Sequence, residues 1–371
     1  MRALSILLFP IVLSVLPVAA TAEVRSIQSG KVSITPVMTD LDQPWGMGFL
    51  PDGGILVTER GGRLWHQRAD GSRISLGEID VVAEGQGGLL DILIPRDFAQ
   101  TRQVYLSFAK PQGRRAGTAL GVGRLSEDGT ALEGFQVIYE MDPGSSGGRH
   151  FGSRIVEGRD GYLYLTIGDR GDRPQAQNLG TENGTVVRVA RDGAIPSDNP
   201  FVGVNGAQPE IWSYGHRNPQ GATLDGQGRL WVIEHGARGG DEVNLVQKGK
   251  NYGWPVISYG RHYSGGRIGE GTAKDGMEQP SHYWDPSIAP SGATFYSGKL
   301  WPEWEGDLFV GSLKFGLISR LEGGAQKSEV ERIETPETDR VRDVREAPDG
   351  SIWFMSVGNG AIYRMAPAGN S

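Results

Sequence analysis

Short runs of alternating hydrophobic and polar residues recur along the chain, and each follows a turn region, in most cases one containing glycine or aspartate. Alternation with a period of two is typical of β-strands, and beyond the N-terminal segment no long stretch shows the 3.6-residue period of an amphipathic helix. Six such runs are found, namely ILVTE after Gly54, VYLSFA after Gln103, YLYLTIG after Gly161, RLWVIE after Gly228, DLFVGS after Gly306 and SIWFMS after Gly350.

The spacing of these runs indicates a repeat architecture. The runs lie about 45 to 75 residues apart, which suits one four-stranded blade and its loops in a β-propeller. A blade cannot cover both of its faces alone, so blades stack in a ring. The sequence therefore predicts an all-β, six-bladed β-propeller, with a pair of β-sandwiches as the alternative. Because only a short tail follows a strand at 361–364, a strand from the N-terminal stretch is predicted to complete the last blade and close the ring.

Composition narrows the chemistry. The 371 residues include 57 glycines, which suit tight turns, and no cysteine, which excludes disulfides, thiolate metal sites, cysteine nucleophiles and covalently attached c-type haem. Any redox chemistry must therefore use a bound cofactor. The formal net charge of −7 argues against a nucleic-acid partner, which usually requires a basic face.

The N-terminal segment has the pattern of an export signal. One arginine precedes an apolar run to about Val18, and Ala20-Thr21-Ala22 fits a small-x-small cleavage site. The sequence thus predicts a signal peptide at 1–22 and a single propeller domain at 23–371, located in the periplasm of a Gram-negative source and not inserted in the membrane after cleavage. An uncleaved anchor is the alternative, although Pro10 and Pro17 interrupt a run that is short for a span.

One histidine stands out from its position between repeat strands. His150 lies just before one strand, and Asp169 follows the end of that strand's partner, the YLYLTIG run. If the two strands pair as a hairpin, both residues should emerge at the same end of the ring. A histidine held by a carboxylate is a general base with a fixed tautomer. A structural histidine in a glycine-rich loop is the alternative that spacing alone leaves open.

Four motifs in order, GHRNPQG, GGDEVN, KNYGWP and RVRDV, give the chain a specific family resemblance. It resembles the soluble quinoprotein sugar dehydrogenases of the glucose and sorbosone dehydrogenase family, which use pyrroloquinoline quinone, and is most similar to the short bacterial aldose dehydrogenase branch. The resemblance extends from Gln43 to Met365 and implies a six-bladed propeller, in agreement with the repeat count.

The resemblance implies a set of cofactor-binding residues. Pyrroloquinoline quinone is a flat ortho-quinone with three carboxylates, so its site needs cationic side chains. Arg217 is expected beside the quinone oxygens, where it also acts in catalysis with His150 and Asp169. The other expected cofactor contacts are Gln86, Asn218, Tyr263, Lys314, Arg340 and Arg342. Taken singly, each of these charged side chains would more simply be a solvated surface charge.

Calcium is the second implied cofactor. By resemblance, the calcium beside the quinone is bound by the backbone carbonyls of Gly236 and Ala237, although the family usually has proline where this chain has Ala237. A second, structural calcium would be bound by the Glu242 carboxylate and the Tyr252 carbonyl. Oxygen donors of this kind suit calcium better than zinc.

The implied reaction is oxidation of an aldose at C1 to the lactone, with electrons passed to a separate acceptor. His150 would take the proton of the anomeric hydroxyl. The loop at 258–276 is expected to form the rim of the site. Two other functions remain as alternatives: a calcium-dependent propeller lactonase or hydrolase, and a non-catalytic binding propeller. The absence of coiled-coil heptads indicates a monomer or weak homodimer.

Overall fold

The structure is a computed structural model that describes residues 22–369. The predicted signal segment, apart from Ala22, lies outside the described residues. In chain order the strands are β1 (Glu23–Ile27), β2 (Gly30–Met38), β3 (Pro44–Phe49), β4 (Ile55–Glu59), β5 (Arg63–Gln67), β6 (Arg73–Glu78), β7 (Leu89–Leu93), β8 (Gln103–Gln112), β9 (Arg115–Leu125), β10 (Leu132–Glu140), β11 (Ile155–Glu157), β12 (Leu163–Ile167), β13 (Thr185–Val189), β14 (Ile211–Tyr214), β15 (Pro219–Leu224), β16 (Leu230–Glu234), β17 (Asp241–Leu245), β18 (His282–Trp284), β19 (Pro290–Phe295), β20 (Leu308–Ser312), β21 (Ile318–Glu322), β22 (Ser328–Ile333), β23 (Val341–Glu346), β24 (Ile352–Ser356) and β25 (Ala361–Pro367).

Helical structure is confined to single turns in the described chain. The α-helix α1 spans Phe98–Thr101, and three 3-10 turns span Arg173–Gln177, Pro302–Trp304 and Pro336–Thr338. Among residues 22–369, none of these has the length and apolarity needed to cross a membrane.

The strands form six antiparallel sheets in a ring, which confirms the predicted six-bladed propeller. Five sheets are simple meanders of four consecutive strands, starting at β3, β7, β11, β15 and β19. The six sequence runs prove to be the second strands of the blades, namely β4, β8, β12, β16, β20 and β24. They stand out because a second strand is buried on both sides: all five residues of β4, β12, β16 and β20 are buried.

The sixth blade joins the two ends of the chain, as predicted. Its strand order is β1-β2-β25-β24-β23. Val32 pairs with Pro367 and Ile34 with Met365, and both Val32 and Ile34 enter the hydrophobic cluster shared with Phe354. This antiparallel pairing ties the N-terminal strands to the last blade, so backbone hydrogen bonds between the two ends of the described chain close the ring.

Hydrophobic layers between neighbouring blades form the core. Leu56 and Leu64 of one blade pack with Leu106 and Phe108 of the next, and the equivalent layer between the fourth and fifth blades is centred on Trp231. These side chains are at most 2% exposed. Truncating a leucine such as Leu56 to alanine removes about 2–5 kcal/mol of stability. The rigid layers hold the loops at the ends of the strands in fixed relative positions.

Candidate active site

The connecting loops at one end of the ring bring the predicted site residues together. Because second strands run in the same sense in every blade, the residues that follow β12, β16 and β20 emerge at the same end. Asp169, Gly236 and Lys314 are placed in this way. Arg217 lies in the connection from β14 to β15, and His150 precedes β11, so both also reach this end.

A cavity of about 940 Å³ opens at this end of the propeller. Its size is in the range of small-molecule and cofactor sites. Eight of the residues predicted from the sequence line it: Gln86, Asn218, Gly236, Ala237, Tyr263, Lys314, Arg340 and Arg342. Tyr263 is 71% exposed, so it lies at the rim formed by the predicted loop at 258–276. His150, Asp169 and Arg217 lie beside the lining residues, not among them.

His150 and Asp169 form a close hydrogen-bonded pair. Nδ1–H of His150 donates to Oδ1 of Asp169 over 2.6 Å, and the carboxylate is fully buried whereas the imidazole side chain is 12% exposed. Nε2 of His150 has no hydrogen-bond partner within residues 22–369. The tautomer is therefore set by Asp169, and the second nitrogen is free to accept a proton.

The backbone around His150 is held in an unusual conformation. His150 has a φ of 54°, in the left-handed region that few residues other than glycine adopt. Its N–H donates to Oε1 of Gln86 over 2.7 Å, so a cavity-lining side chain fixes the turn. A Cβ at Gly168 would lie 2.2 Å from the His150 carbonyl oxygen, so only glycine permits this close approach. Local strain of this kind is often found at functional sites.

The electrostatic surroundings keep His150 neutral. Burial lowers the pKa of the His150 imidazole, and the positive charges of Arg217 and Arg149 lower it further, while Asp169 acts in the opposite direction. For Asp169 burial raises the pKa, but hydrogen bonds from His150, Gly171 and Trp254 outweigh it and hold the pKa below its ordinary value. A neutral imidazole beside an ionised carboxylate is the state that a general base requires.

Arg217 is connected to the His150 pair through its backbone. The N–H of Asp169 donates to the Arg217 carbonyl over 2.8 Å. The N–H of Arg217 in turn donates to Oε2 of Glu234 over 2.6 Å, and its Nη1 donates to the His235 carbonyl over 3.1 Å. Its Nε is buried without a partner in the described chain. The side chain thus keeps hydrogen-bonding capacity for a ligand.

Positive charge is concentrated on one wall of the cavity. Arg60, Lys314, Arg340 and Arg342 line it, and within residues 22–369 none of them has a carboxylate within ion-pair distance. Arg238 also lines the cavity, and Asp285 is the one carboxylate among its lining residues in the described chain. Burial and the nearby charges of Arg154, Arg340 and Arg60 lower the pKa of Arg342 to about 9. Such mutual repulsion is relieved by a bound anion.

Negative charge is buried next to this wall. Glu242 and Tyr252 line a second, much smaller cavity together with Glu234, and this space adjoins the large cavity at His235 and Gly236. Burial and the adjacent carboxylate of Glu234 raise the pKa of Glu242. Within the described residues no group of three or more His, Cys, Asp or Glu side chains could hold a metal ion. A metal here would need backbone carbonyls to complete its shell.

Several residues that the sequence reasoning missed also shape the site. Gln220 lines the cavity and accepts a hydrogen bond from Arg342 Nη1 over 2.7 Å. Its position at the end of the GHRNPQG motif was the available signal. Trp45 also lines the cavity, and the centre of its ring lies 5.3 Å from the Arg342 guanidinium. Trp45 belongs to the segment QPWG, and nothing in the sequence pattern indicated that this segment reaches the site. His235 donates from Nε2 to the Pro290 carbonyl over 2.6 Å, and burial with nearby Arg217 and Arg342 lowers its pKa to about 3.

A buried cluster of charged residues packs against the residues that line the cavity. Arg154 is 1% exposed and pairs with Asp91 and Asp343 at 3.0 and 3.1 Å. It also donates to the backbone carbonyls of Gln220 and Arg342, over 2.8 and 2.9 Å. The cluster therefore holds the backbone of two cavity-lining residues, Gln220 and Arg342, in place.

Comparison with known proteins decides the family. The sequence model of the family described as Glucose / Sorbosone dehydrogenase matches residues 41–364. The chain belongs to this glucose/sorbosone dehydrogenase family. Among curated relatives of this dehydrogenase, the aldose sugar dehydrogenase YliI of Escherichia coli is 44% identical over 346 residues, which cover 91% of this chain and 93% of the relative. Quinoprotein glucose dehydrogenase B of Acinetobacter calcoaceticus is 28% identical, with 86% and 84% covered.

Solved structures place the dehydrogenase in the same family. The apo-form of the soluble aldose sugar dehydrogenase from Escherichia coli superposes with a TM-score of 0.87 at 41% identity, covering 91% of this chain and 100% of that one. The pyrroloquinoline quinone-bound form of the aldose sugar dehydrogenase from Streptomyces coelicolor gives a TM-score of 0.75 at 27% identity, covering 94% and 98%. The family resemblance noted in the sequence, and with it the oxidoreductase class, is confirmed.

Proposed function

We propose that this dehydrogenase oxidises aldose sugars at C1 to the lactone, using pyrroloquinoline quinone and calcium, and passes the electrons to a separate acceptor. The observation that carries the proposal is a neutral His150, paired with buried Asp169, beside a cavity whose cationic wall has no carboxylate partners in the described chain.

The donor set suits the quinone. Three carboxylates on a flat ring need several cations in a space of this size, and Arg342, Arg340 and Lys314 supply them at one wall. Arg217, with its unpartnered Nε, and Asn218 would contact the quinone oxygens. Gln86 would fix the reacting edge through the same side chain that holds His150, and Tyr263 would cover the opening.

The surroundings also suit calcium. Gly236 is anchored through its N–H to Oδ1 of Asp241 over 2.8 Å, and its carbonyl and that of Ala237 would bind the ion at the edge of the large cavity. At the smaller cavity, a second calcium bound by Glu242 and the Tyr252 carbonyl would offset the repulsion between Glu242 and Glu234. Hard oxygen donors are the ligands that calcium prefers.

In the proposed reaction the sugar loses two hydrogens, the one on C1 and the one on the anomeric hydroxyl. Gln86, Arg217, Asn218 and the cationic side chains would hold the quinone, which when bound would supply a hydride acceptor for C1, with calcium as a Lewis acid at its carbonyl. Nε2 of His150 accepts the proton of the anomeric hydroxyl, and Asp169 stabilises the resulting imidazolium through Nδ1. Arg217 stabilises negative charge that develops near its guanidinium. The lactone then hydrolyses to the aldonic acid in water.

The setting of the mature enzyme is part of this proposal. Residues 1–22 would direct export to the periplasm and be removed, leaving residues 23–371 as one propeller domain. Since the chain has no cysteine for attached haem, a separate acceptor must collect the electrons. The enzyme would act as a monomer or weak homodimer.

Reconstitution of the purified apoprotein tests the proposal. Dye reduction is measured with a panel of aldoses, with and without added pyrroloquinoline quinone and calcium, and quinone binding is followed separately by absorbance. Activity that requires both additions supports the dehydrogenase. Quinone binding without turnover on any sugar would favour a binding propeller, and failure to bind quinone, with calcium-dependent lactone hydrolysis, would favour the lactonase.

A further inference from the structure

Trp254 contacts both the His150–Asp169 pair and the Arg217 side chain. It is 5% exposed, and its indole Nε1–H donates to Oδ2 of Asp169 over 2.8 Å. Its own backbone is held at both ends, because its N–H donates to the Gly215 carbonyl over 2.9 Å and its carbonyl accepts from Nε2 of Gln177 over 2.8 Å. The buried indole N–H is thus carried on an anchored backbone and points at the carboxylate.

The same ring also contacts the cationic side of the site. The Arg217 guanidinium lies 5.4 Å from the centre of the Trp254 ring, within range of a cation–π interaction. Asp169 has its other oxygen, Oδ1, shared between His150 Nδ1–H at 2.6 Å and the Gly171 N–H at 2.7 Å. Without the indole N–H, Oδ2 would be a buried acceptor with no side-chain donor in the described chain.

We propose that Trp254 is a positioning residue for the dehydrogenase reaction, which holds Asp169 in the orientation that aligns His150 and at the same time seats the Arg217 guanidinium. The inference rests on the proposed function, in which His150 is the base and Arg217 stabilises developing charge. Tryptophan is suited to both tasks, because one rigid ring combines an N–H donor with a π-face.

Loss of the indole N–H has a predictable electrostatic sign. A hydrogen bond to a carboxylate disperses its charge, so removing it makes Asp169 a stronger base and a stronger acceptor for His150. The imidazolium then becomes more stable and the pKa of His150 rises. The other charged groups that face the pair are Arg149, Arg170 and Arg217, with neutral His235 nearby, and Arg173 lies 5.3 Å from the centre of the Trp254 ring. A substitution that replaces only the indole N–H keeps the π-face that Arg217 contacts, so the lost hydrogen bond sets the sign of the shift.

Two variants separate the N–H from the ring. Trp254→Phe removes the donor and shortens the ring, whereas 3-benzothienyl-alanine at position 254 replaces only the N–H with sulfur and keeps the volume. Trp231→Phe is a matched control, since Trp231 is also buried and its Nε1 donates to Oδ2 of Asp225 over 2.9 Å. It is not among the residues lining the large cavity.

The direct readout is the titration of the His150 imidazole by NMR in the full-length protein without cofactor or metal, assigned with His150→Gln. Both variants at position 254 should raise the His150 pKa by about one unit, and Trp231→Phe should leave it unchanged. In the reconstituted enzyme, the acid limb of kcat/KM should move upward by the same amount and the alkaline plateau of kcat should fall.

Each outcome has a defined meaning. A rise of the His150 pKa in both variants at position 254 supports the positioning role. If the enzyme also turns over no sugar, the proposed function fails, but the role of Trp254 in holding the His150–Asp169 pair stands. No shift in either variant overturns the inference. A shift in Trp254→Phe alone also overturns it, because lost packing and not the lost N–H would then be the cause.

Discussion

Two histidine–carboxylate pairs lie in neighbouring blades of this propeller and differ in the surroundings of the second ring nitrogen of the histidine. His150 donates from Nδ1 to Asp169 over 2.6 Å, and His216 donates from Nδ1 to Glu234 over 2.9 Å. The second nitrogen separates them. Nε2 of His216 lies 3.0 Å from the Ser213 hydroxyl, and the ring is fully buried against Tyr252, whereas Nε2 of His150 has no partner in the described chain.

The difference shows that pairing with a carboxylate does not by itself make a general base. His216 has both nitrogens satisfied, so it serves as a brace that orients Glu234, which in turn accepts the Arg217 N–H over 2.6 Å. His150 has one nitrogen fixed and the other available. Substitutions at the two pairs should therefore affect different quantities, and the following predictions are ordered by the size of the expected effect.

Replacing His150 should have the largest effect. His150→Ala removes the base, so kcat should fall by about 10²–10⁴-fold, while binding of the quinone, measured by absorbance, stays close to that of the wild type. His150→Gln serves as a second variant of more similar volume. A near-normal rate in both variants would contradict the assignment of His150.

Replacing the carboxylate partner should have an effect of similar or smaller size. Asp169→Asn keeps the shape but allows the wrong tautomer of His150, so kcat should fall by up to about 10⁴-fold. The acid limb of the pH profile should change as well, because the negative charge beside the imidazole is lost. If kcat stays normal while only the stability falls, Asp169 is a structural residue.

Replacing His216 should lower the stability of the protein and leave the rate of the reaction nearly unchanged. His216→Gln breaks a fully buried hydrogen-bonded pair, so the free energy of unfolding should fall by about 2 kcal/mol in a denaturant titration. In the folded, reconstituted enzyme kcat should change by less than about fivefold, which corresponds to under 1 kcal/mol of barrier. A large loss of kcat without a loss of stability would remove the distinction between the two histidines.

The smallest effect concerns the charge around His150. Because its pKa is lowered below 6.5, the base is neutral at pH 7, and kcat/KM should fall only as the pH drops through that lowered value. Arg149 is exposed, so Arg149→Gln should raise the acid limb by less than about half a unit, and the difference should shrink in high salt. An acid limb above pH 6.5 in the wild type would contradict this electrostatic account.

Much of the architecture could be predicted from the sequence because it is expressed in local patterns. The second strand of each blade is buried on both faces, so it forms a β-rich run after a turn, and six such runs predict six blades. The closing strand was predictable too, since the last strand lacked a partner nearby in sequence. The ordered motifs identified the family because each keeps its residue types at fixed spacing.

The sequence by itself determined the residue types that line the site, and the tertiary structure decided which of them act together. Trp254 lies 85 positions from Asp169 and Arg154 lies 188 positions from Arg342, so no local pattern could reveal these contacts. His150 has its carboxylate partner 19 residues away and His216 has its partner 18 residues away, so carboxylate spacing alone does not distinguish the two histidines. Only the packing of the blades does so, because burial satisfies both nitrogens of one histidine and leaves one nitrogen of the other free.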